Sequence, residues 1–210
     1  DVCSSDLSRI GSSFLKTSVG FGGSCFQKDI LNLVYISRSI GLEKVANYWE
    51  QILIINKHQR DRFANKIYSL INKESLNKNV CILGWAFKKD TNDTRESAAI
   101  YVAKNLIKSN ICLNVYDPKV KESQIFFDMN YINGNDKKNK KHISVYNNPI
   151  DCINKTNIIA ILTEWDEFKC YDWKEIYNKM EKPAYVFDGR NILDKVNLES
   201  IGFNYIGLGR

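Results

Sequence analysis

The sequence has few residues that could bind a metal ion. Its 210 residues include only two histidines, His58 and His142, and its six cysteines are widely scattered without a C-x-x-C pair. Structural zinc sites need closely spaced cysteine and histidine ligands, so this spacing argues against zinc and we expect no metal. Cysteine-protease chemistry is also disfavoured, because it needs a histidine held next to the nucleophile and neither histidine is expected there.

Long apolar runs are missing as well. No stretch approaches the roughly 18 uninterrupted apolar residues of a membrane-spanning helix, and residues 1–6 lack the basic start and apolar run of a signal peptide. We therefore expect a cytoplasmic protein that does not contact membranes. Hydrophobic residues make up 44% of the chain, which is enough for one core with an appendage or for two small domains.

The net charge of +6 leaves several partners open. The basic residues are spread along the chain except for a Lys/Asn-rich run at 136–141, which is more typical of a solvated, mobile loop than of a nucleic-acid-binding patch. We expect no nucleic-acid partner. Positive charge also suits an anionic ligand such as a nucleotide.

Two helices are predicted in the first third of the chain. Apolar residues recur at helical spacing from Gln27 to Gly41, and a second, unusually long helix is predicted from Glu43 to Ile71. Long helices of this kind connect domains or build dimer interfaces. We expect a homodimer through the long helix, or a higher homo-oligomer.

Beyond residue 79 short apolar runs alternate with helical stretches. Strands are predicted at 80–84, 112–116, 143–145, 157–162, 185–188 and 203–206. This alternation predicts an α/β fold with a Rossmann-like, doubly wound parallel sheet, preceded by a helical segment with the long connecting helix. The expected division is a partial central helical domain at 1–72 and a Rossmann-like domain at 79–210.

A polar loop follows the first predicted strand in place of a G-x-G-x-x-G turn. It contains Lys88, Lys89 and Arg95, and ligands of open α/β sheets bind beyond the carboxyl ends of the strands. We expect an anion to dock here, with Arg95 opening the next helix, where the helix dipole adds to its charge. The alternative is a solvated loop capped by Thr94.

The segment before the first helix has the strongest chemical signal. Three glycines, Gly20, Gly22 and Gly23, allow the backbone to approach a ligand closely, and Cys25 follows just before the predicted helix with Lys28 nearby. A helix start and a neighbouring lysine both favour a reactive thiolate, and Asp29 could activate or orient water. A structural cysteine is the alternative.

Several motifs in the same order carry a family resemblance. They are GFGGSCFQKD at 20–29, LNLVY at 31–35, ILGWAFKKDT at 82–91, DTRES at 93–97, YDPK at 116–119, TEWD at 163–166 and FDGR at 187–190. With them the chain resembles the eukaryotic-type UDP-glucose 6-dehydrogenases of the UDP-glucose/GDP-mannose dehydrogenase family. GDP-mannose and UDP-N-acetylmannosamine dehydrogenases share the architecture but differ around the cysteine.

The resemblance implies an NAD-dependent oxidation of UDP-glucose to UDP-glucuronate by two hydride transfers, through a thiohemiacetal and a thioester on Cys25. It assigns catalytic roles to Cys25 and Asp29 and contacts with NAD to Cys25, Phe26, Gln27, Lys28 and Arg95. The implied substrate-binding residues are Arg9, Phe14, Leu15, Lys16, Ser18, Phe21, Gly22, Phe87, Lys88 and Arg190. Among these, Arg9 matches an arginine that reaches a neighbouring subunit's site.

Each of these assignments has a plainer alternative. Phe14 and Phe87 could be core aromatics, and Arg190 could be a surface residue after a strand. Because the family's amino-terminal NAD-binding domain has no counterpart in the sequence, we expect a fragment that is inactive alone. The alternative function is a stand-alone module for UDP-sugar binding or oligomerisation without catalysis.

Overall fold

Two helices open the part of the chain that the computed structural model describes, residues 15–209. Helix α1 spans Ser24–Ser39 and helix α2 spans Glu43–Lys73. Both predicted helices are confirmed, with α1 starting earlier than predicted because Gly23, with φ of 82°, already turns the chain into the helix.

Six strands form one parallel sheet. They are β1 Asn79–Leu83, β2 Cys112–Tyr116, β3 Ile143–Val145, β4 Ile158–Ile161, β5 Tyr185–Asp188 and β6 Asn204–Gly207. Their order is β3-β2-β1-β4-β5-β6, and every neighbouring pair is parallel. The predicted Rossmann-like fold is confirmed, and the strand order reverses direction between β1 and β4, where such sheets bind their ligands.

Shorter helices connect the strands and cover the sheet. They are α3 Ala98–Lys108, α4 Glu122–Asn133, α5 Asp136–His142, α6 Pro149–Ile153, α7 Trp173–Lys179 and α8 Lys195–Ile201, with a 3-10 turn at Asp166–Lys169. Side chains that are typical N-caps begin several of them, for example Asp172 at α7 and Asp194 at α8. Across residues 15–209, none of the helices combines the length and the apolar character needed to cross a bilayer.

The Lys/Asn-rich run is a helix, so the predicted loop is wrong. Asn135 caps α5 by accepting a hydrogen bond from the N–H of Lys138. Asn139 is fully buried, accepts from Asn133 Nδ2 at 3.0 Å and donates to Asn130 Oδ1 at 2.8 Å. These amide contacts hold the basic run against the end of α4, and its lysines take the outer side.

Helix α2 belongs to two hydrophobic clusters. Its second half contributes Phe63 and Ile67 to the main core, where the Phe63 ring meets the Phe187 ring of β5 edge to face at 6.0 Å. Its first half packs through Ala46 against Ile30 of α1 in a smaller cluster. Helix α2 therefore connects α1, which carries Cys25, to the main core around the sheet.

Candidate active site

Cys25 lies in the first turn of α1 with its side chain exposed. Gly23 is the N-cap, and no side chain of residues 15–209 caps this turn. The first backbone N–H groups of a helix have no intrahelical acceptor and carry the positive end of the helix dipole. Cys25 therefore sits inside the helix start, in the electropositive setting that the sequence indicates.

The glycine loop, residues 20–23, rests on the buried side of α2. Asn56 accepts from the N–H of Phe21 at 2.9 Å and donates to its carbonyl at 3.1 Å. Arg60 Nη2 donates to the same carbonyl at 2.5 Å and to the carbonyl of Glu96 at 3.0 Å. Two polar side chains of α2 thus fix the backbone that leads to the cysteine.

Two of the glycines are required by contacts within the protein. A Cβ at Gly22 would lie 2.8 Å from the Glu96 carbonyl oxygen, and one at Gly23 would lie 3.1 Å from the Phe87 ring. The N–H of Gly23 donates to the Arg95 carbonyl at 2.8 Å. The glycines therefore let the cysteine loop pack directly on the loop after β1, in addition to any approach to a ligand.

The prediction that Arg95 opens a helix is wrong. Helix α3 begins at Ala98, and its cap is Ser97, not Thr94. Arg95 lies in the preceding turn, where Nε and Nη2 donate to the Asp93 carboxylate at 3.0 and 2.7 Å. This bonding raises the pKa of Arg95 and lowers the pKa of Asp93.

A cavity of about 540 Å³ lies between the start of α1 and helix α4. Three of the residues expected to contact NAD line it together, Gln27, Lys28 and Arg95, and the exposed aromatic side chains of Phe127 and Tyr131 form its far wall. Lys28 and Arg95, the latter paired with Asp93, lie next to an uncapped helix start, and this combination suits a diphosphate group even though Glu96 and Asp128 also line the cavity. The donor set therefore fits the pyrophosphate of a dinucleotide.

Phe26 and Asp29 are not among the residues that line this cavity. The exposed ring of Phe26 packs edge to face on Phe21, with ring centroids 4.7 Å apart. Asp29 is exposed and lies four residues after Cys25, so both occupy the same side of α1.

Arg190 is not the surface residue that the alternative interpretation describes. It follows β5, its side chain is only 15% exposed, and Nη1 donates to the Ser18 hydroxyl at 2.5 Å. Nη2 forms a close ion pair with Glu164 Oε2 at 2.7 Å, without an aligned hydrogen bond. Burial lowers the pKa of Arg190, and the charge of Glu164 acts in the opposite direction.

The carboxylate of Asp117 fixes the start of the loop after β1. Oδ2 accepts from the backbone N–H of Trp85 at 2.6 Å and of Ala86 at 3.0 Å. The next residue, Phe87, is half-buried against the glycine loop, and Nζ of Lys88 lies 5.4 Å from its ring centroid. Phe87 thus connects the loop after β1 to the glycine loop, and Lys88 is exposed beside it.

The remaining predicted site residues lie at the start of the chain. Leu15 and Lys16 are exposed. Arg9 and Phe14 lie outside the described residues. Ser18, Phe21 and Gly22 are half-buried between the sheet and α2, as described above.

Sequence reasoning missed four residues that organise this site: Asn56, Arg60, Asp117 and Glu164. The last two belong to the YDPK and TEWD motifs, so the motifs contained them without showing their role. Asn56 and Arg60 precede the buried Phe63 and Ile67 at helical spacing on α2. Their position in line with an apolar stripe of the helix is the signal that could have predicted that they are buried.

Comparisons with known proteins agree with this arrangement. Residues 81–195 match the UDP-glucose/GDP-mannose dehydrogenase family, UDP binding domain, and residues 2–58 match the central domain of the same family. The chain is 47% identical to UDP-glucose 6-dehydrogenase of Drosophila melanogaster, covering 97% of this chain and 43% of that protein. It is 46% identical to UDP-glucose 6-dehydrogenase 4 of Arabidopsis thaliana, covering 97% of this chain and 44% of that protein.

Solved structures show the same fold. A UDP-glucose dehydrogenase from Pyrobaculum islandicum superposes with a TM-score of 0.70 at 26% identity, covering 95% of this chain and 40% of that one. An NDP-N-acetyl-D-galactosaminuronic acid dehydrogenase from Methanosarcina mazei gives a TM-score of 0.72 at 20% identity, covering 92% and 39%. The chain spans less than half the length of these relatives, and it belongs to the UDP-glucose/GDP-mannose dehydrogenase family.

Proposed function

We propose that the protein containing this chain catalyses the NAD-dependent oxidation of UDP-glucose to UDP-glucuronate. The observation that carries the proposal is the hydrogen bond from Gly23 to the Arg95 carbonyl, which joins the Cys25 helix start to the polar loop after β1. A nucleophile, an anion-binding cavity and a buried arginine then border one region of the molecule. The identity of 47% and 46% to named UDP-glucose 6-dehydrogenases supports the same reaction.

Cys25 would act as the nucleophile. Its thiolate attacks the carbonyl carbon of the aldehyde, and a C–S bond forms while the oxygen takes a proton, giving a thiohemiacetal. Oxidation of that carbon gives a thioester, which water hydrolyses to the carboxylate and the free thiol. Asp29, on the same side of α1, would orient the water or accept its proton.

NAD, when bound, supplies the acceptor for two hydrides. Lys28, Arg95 and the uncapped start of α1 would hold its pyrophosphate, and Gln27 lines the same cavity. Phe26 is the remaining expected contact. Each of these residues binds and orients the cofactor next to Cys25.

Arg190 and Lys88 would bind the sugar nucleotide. The hydrogen bond of Arg190 to Ser18 and its ion pair with Glu164 hold the guanidinium in place at the carboxyl end of β5. Lys88 is exposed on the loop after β1 and can meet a phosphate. The other expected contacts, from Arg9, Phe14, Leu15, Lys16, Phe21, Gly22 and Phe87, complete the proposal.

Calorimetric titration of the 210-residue chain with UDP-glucose, UDP and GDP-mannose tests the binding part. We expect UDP-selective binding that is lost in Lys88→Ala and in Arg190→Ala, and kept in Lys174→Ala on the exposed face of α7. Equal binding of GDP-mannose, or full binding by both variants, would contradict it. Cys25→Ser in an active protein should abolish formation of UDP-glucuronate while leaving nucleotide binding unchanged.

A second candidate is a UDP-sugar-binding and oligomerisation module without catalysis. The observation that favours it is the set of exposed apolar side chains on α1, on α2 and between them, including Tyr35, Ile40, Tyr48 and Ile55. We propose that this face forms a homodimer through α2, in the cytoplasm, with a helical domain at 1–72 and the Rossmann-like domain at 79–210. Binding of UDP-glucose without oxidation in the presence of NAD, measured on the whole protein that contains this chain, would favour this candidate.

A further inference from the structure

Arg60 is a buried cation on α2 that bonds two separate segments of the site. Arg60 is only 4% exposed. Its Nη2 donates to the carbonyls of Phe21 and Glu96 at 2.5 and 3.0 Å. Phe21 belongs to the glycine loop before Cys25, and Glu96 belongs to the loop that carries Arg95. A single side chain therefore spans the junction between the nucleophile and the anion-binding loop.

The surroundings of Arg60 hold it in this position. Its guanidinium carbon lies 4.1 Å from the centroid of the Tyr101 ring, and Nη1 lies 4.0 Å from Glu96 Oε2. The Tyr101 hydroxyl donates to the same Glu96 oxygen at 2.5 Å. Burial lowers the pKa of Arg60, and Tyr101 and Glu96 act in the opposite direction while they hold the guanidinium in place.

The backbone at the second contact is conformationally unusual. Glu96 has φ of 55°, a left-handed conformation that is unfavourable for any residue other than glycine. The hydrogen bond from Arg60 to its carbonyl stabilises this turn, and the Gly23-to-Arg95 bond is formed at the adjacent residue. The contact that Arg60 makes is thus coupled to the placement of Cys25 beside Arg95.

We propose that Arg60 is a positioning residue, which sets the placement of Cys25 relative to Arg95 by clamping the carbonyls of Phe21 and Glu96. The proposal rests on the proposed function, because it assumes that Cys25 is the nucleophile. Lysine has a single nitrogen on a flexible stem and cannot reproduce both the stacking on Tyr101 and the fixed donor geometry. Asn56 supports the same loop from one side only, through Phe21.

The test is the rate at which iodoacetamide alkylates each cysteine of the 210-residue chain, followed by mass spectrometry of peptides. The chain carries its own references. Cys112 and Cys170 are exposed and report the general thiol reactivity, while Cys81 and Cys152 are buried and report unfolding. The matched control is Arg62→Ala, which removes an exposed arginine from the same helix.

We expect Arg60→Ala to lower the Cys25 rate about fivefold, because the thiol loses its fixed position beside positive charge. Arg60→Lys should give a smaller loss, and Arg62→Ala none. Cys112 and Cys170 should react as before, and Cys81 and Cys152 should stay protected. If Arg60→Ala unfolds the chain and exposes Cys81 and Cys152, the Cys25 rate of Arg60→Lys is compared with that of Arg62→Ala instead.

The proposal is overturned if Cys25 in a folded Arg60 variant reacts at the rate found for Arg62→Ala. Failure of the proposed function would look different. In that case UDP-glucose binding would be missing from the unsubstituted chain, while the alkylation rates, which require no oxidation of a sugar nucleotide, would still report on Arg60.

Discussion

Arg190 Nη2 lies 2.7 Å from the Glu164 carboxylate, and Arg190 Nη1 reaches Ser18 at 2.5 Å. The ion pair joins the turn after β5 to the TEWD segment after β4. The hydrogen bond to Ser18 joins both to the segment that precedes the glycine loop. Since the arginine side chain is 15% exposed, its charge depends on Glu164 for compensation. Loss of the carboxylate would leave a largely buried cation with Asp188 as its remaining nearby counter-charge.

The first prediction follows from this pair. Glu164→Gln should lower the free energy of unfolding by about 2 kcal/mol, less than the loss of a fully buried partner because the pair is partly solvated. Urea denaturation followed by circular dichroism measures it. The control is Glu175→Gln, which breaks the exposed Lys179–Glu175 pair and should have a clearly smaller effect. Equal effects would mean that burial of Arg190 does not depend on Glu164.

The second prediction concerns Gly23. Alanine there must adopt φ of 82° and place its Cβ 3.1 Å from the Phe87 ring, so we expect a loss of about 2–3 kcal/mol. Gly41→Ala is the matched control, because Gly41 has φ of 78° with open space around it and should cost only about 1 kcal/mol for the conformation. The same unfolding experiment gives both values, and the difference measures the packing of the cysteine loop on Phe87. Equal losses would show that this contact contributes little.

How far the sequence predicts this molecule depends on whether a signal is local. The strands β2, β3 and β5 were predicted to the residue, because each is a short run rich in apolar residues, and β5 is buried along its whole length. The nucleophile segment was recognisable from its glycines and Cys25. Arg60 was not, because its function depends on carbonyls of Phe21 and Glu96 that are distant in sequence.

The Lys/Asn-rich run shows the opposite error. Its composition is typical of a solvated loop. However, Asn135 caps a helix there, and Asn139 is buried with its amide hydrogen-bonded to α4. Composition counts these asparagines as loop-forming, whereas their hydrogen bonds to α4 are formed only after the chain folds. The incorrect position of Arg95 has a similar cause, since Ser97 and not Thr94 provides the cap.

The third prediction tests that helix. Asn139→Ala should lower the free energy of unfolding by about 2 kcal/mol, because it removes a fully buried side chain and leaves Asn130 Oδ1 and Asn133 Nδ2, both half-buried, without their bonds to it. Lys137→Ala, on the exposed side of the same helix, should change it by less than about 0.5 kcal/mol. Thermal and urea unfolding measure both. A neutral Asn139→Ala would show that the run contributes no fixed structure.

The fourth prediction concerns the apolar face of α1 and α2. Ile55, which is 59% exposed on α2, should be covered in a homodimer, so Ile55→Lys should convert the dimer to a monomer. Light scattering coupled to size exclusion at tens of micromolar measures the mass. Val196→Lys on α8 introduces the same charge at another exposed apolar position and should leave the dimer intact. A monomeric unsubstituted chain would contradict the proposed interface.

The fifth prediction concerns stability at alkaline pH. Burial, followed by the hydrogen bond to Glu96, raises the pKa of Tyr101 from 10.0 to about 12. Below pH 10 the phenol is neutral in the folded and unfolded chains, so its contribution to stability is fully present. Between pH 10 and 12 the unfolded chain releases the proton first, and this contribution is lost as the pH rises. The pKa of Tyr116, raised mainly by burial and then by Glu167, adds a loss in the same window.

Tyr101→Phe should therefore reduce the slope of unfolding free energy against pH between pH 10 and 12, without abolishing it, because Tyr116 remains. Urea unfolding at a series of pH values measures the slope. Tyr68→Phe on the exposed side of α2 is the matched control and should keep the original slope. An unchanged slope in Tyr101→Phe would mean that the Tyr101–Glu96 contact, and with it the support behind Arg60, is not formed in solution. A reduced slope would show that the Tyr101 hydroxyl is withdrawn from water where its ring stacks on Arg60.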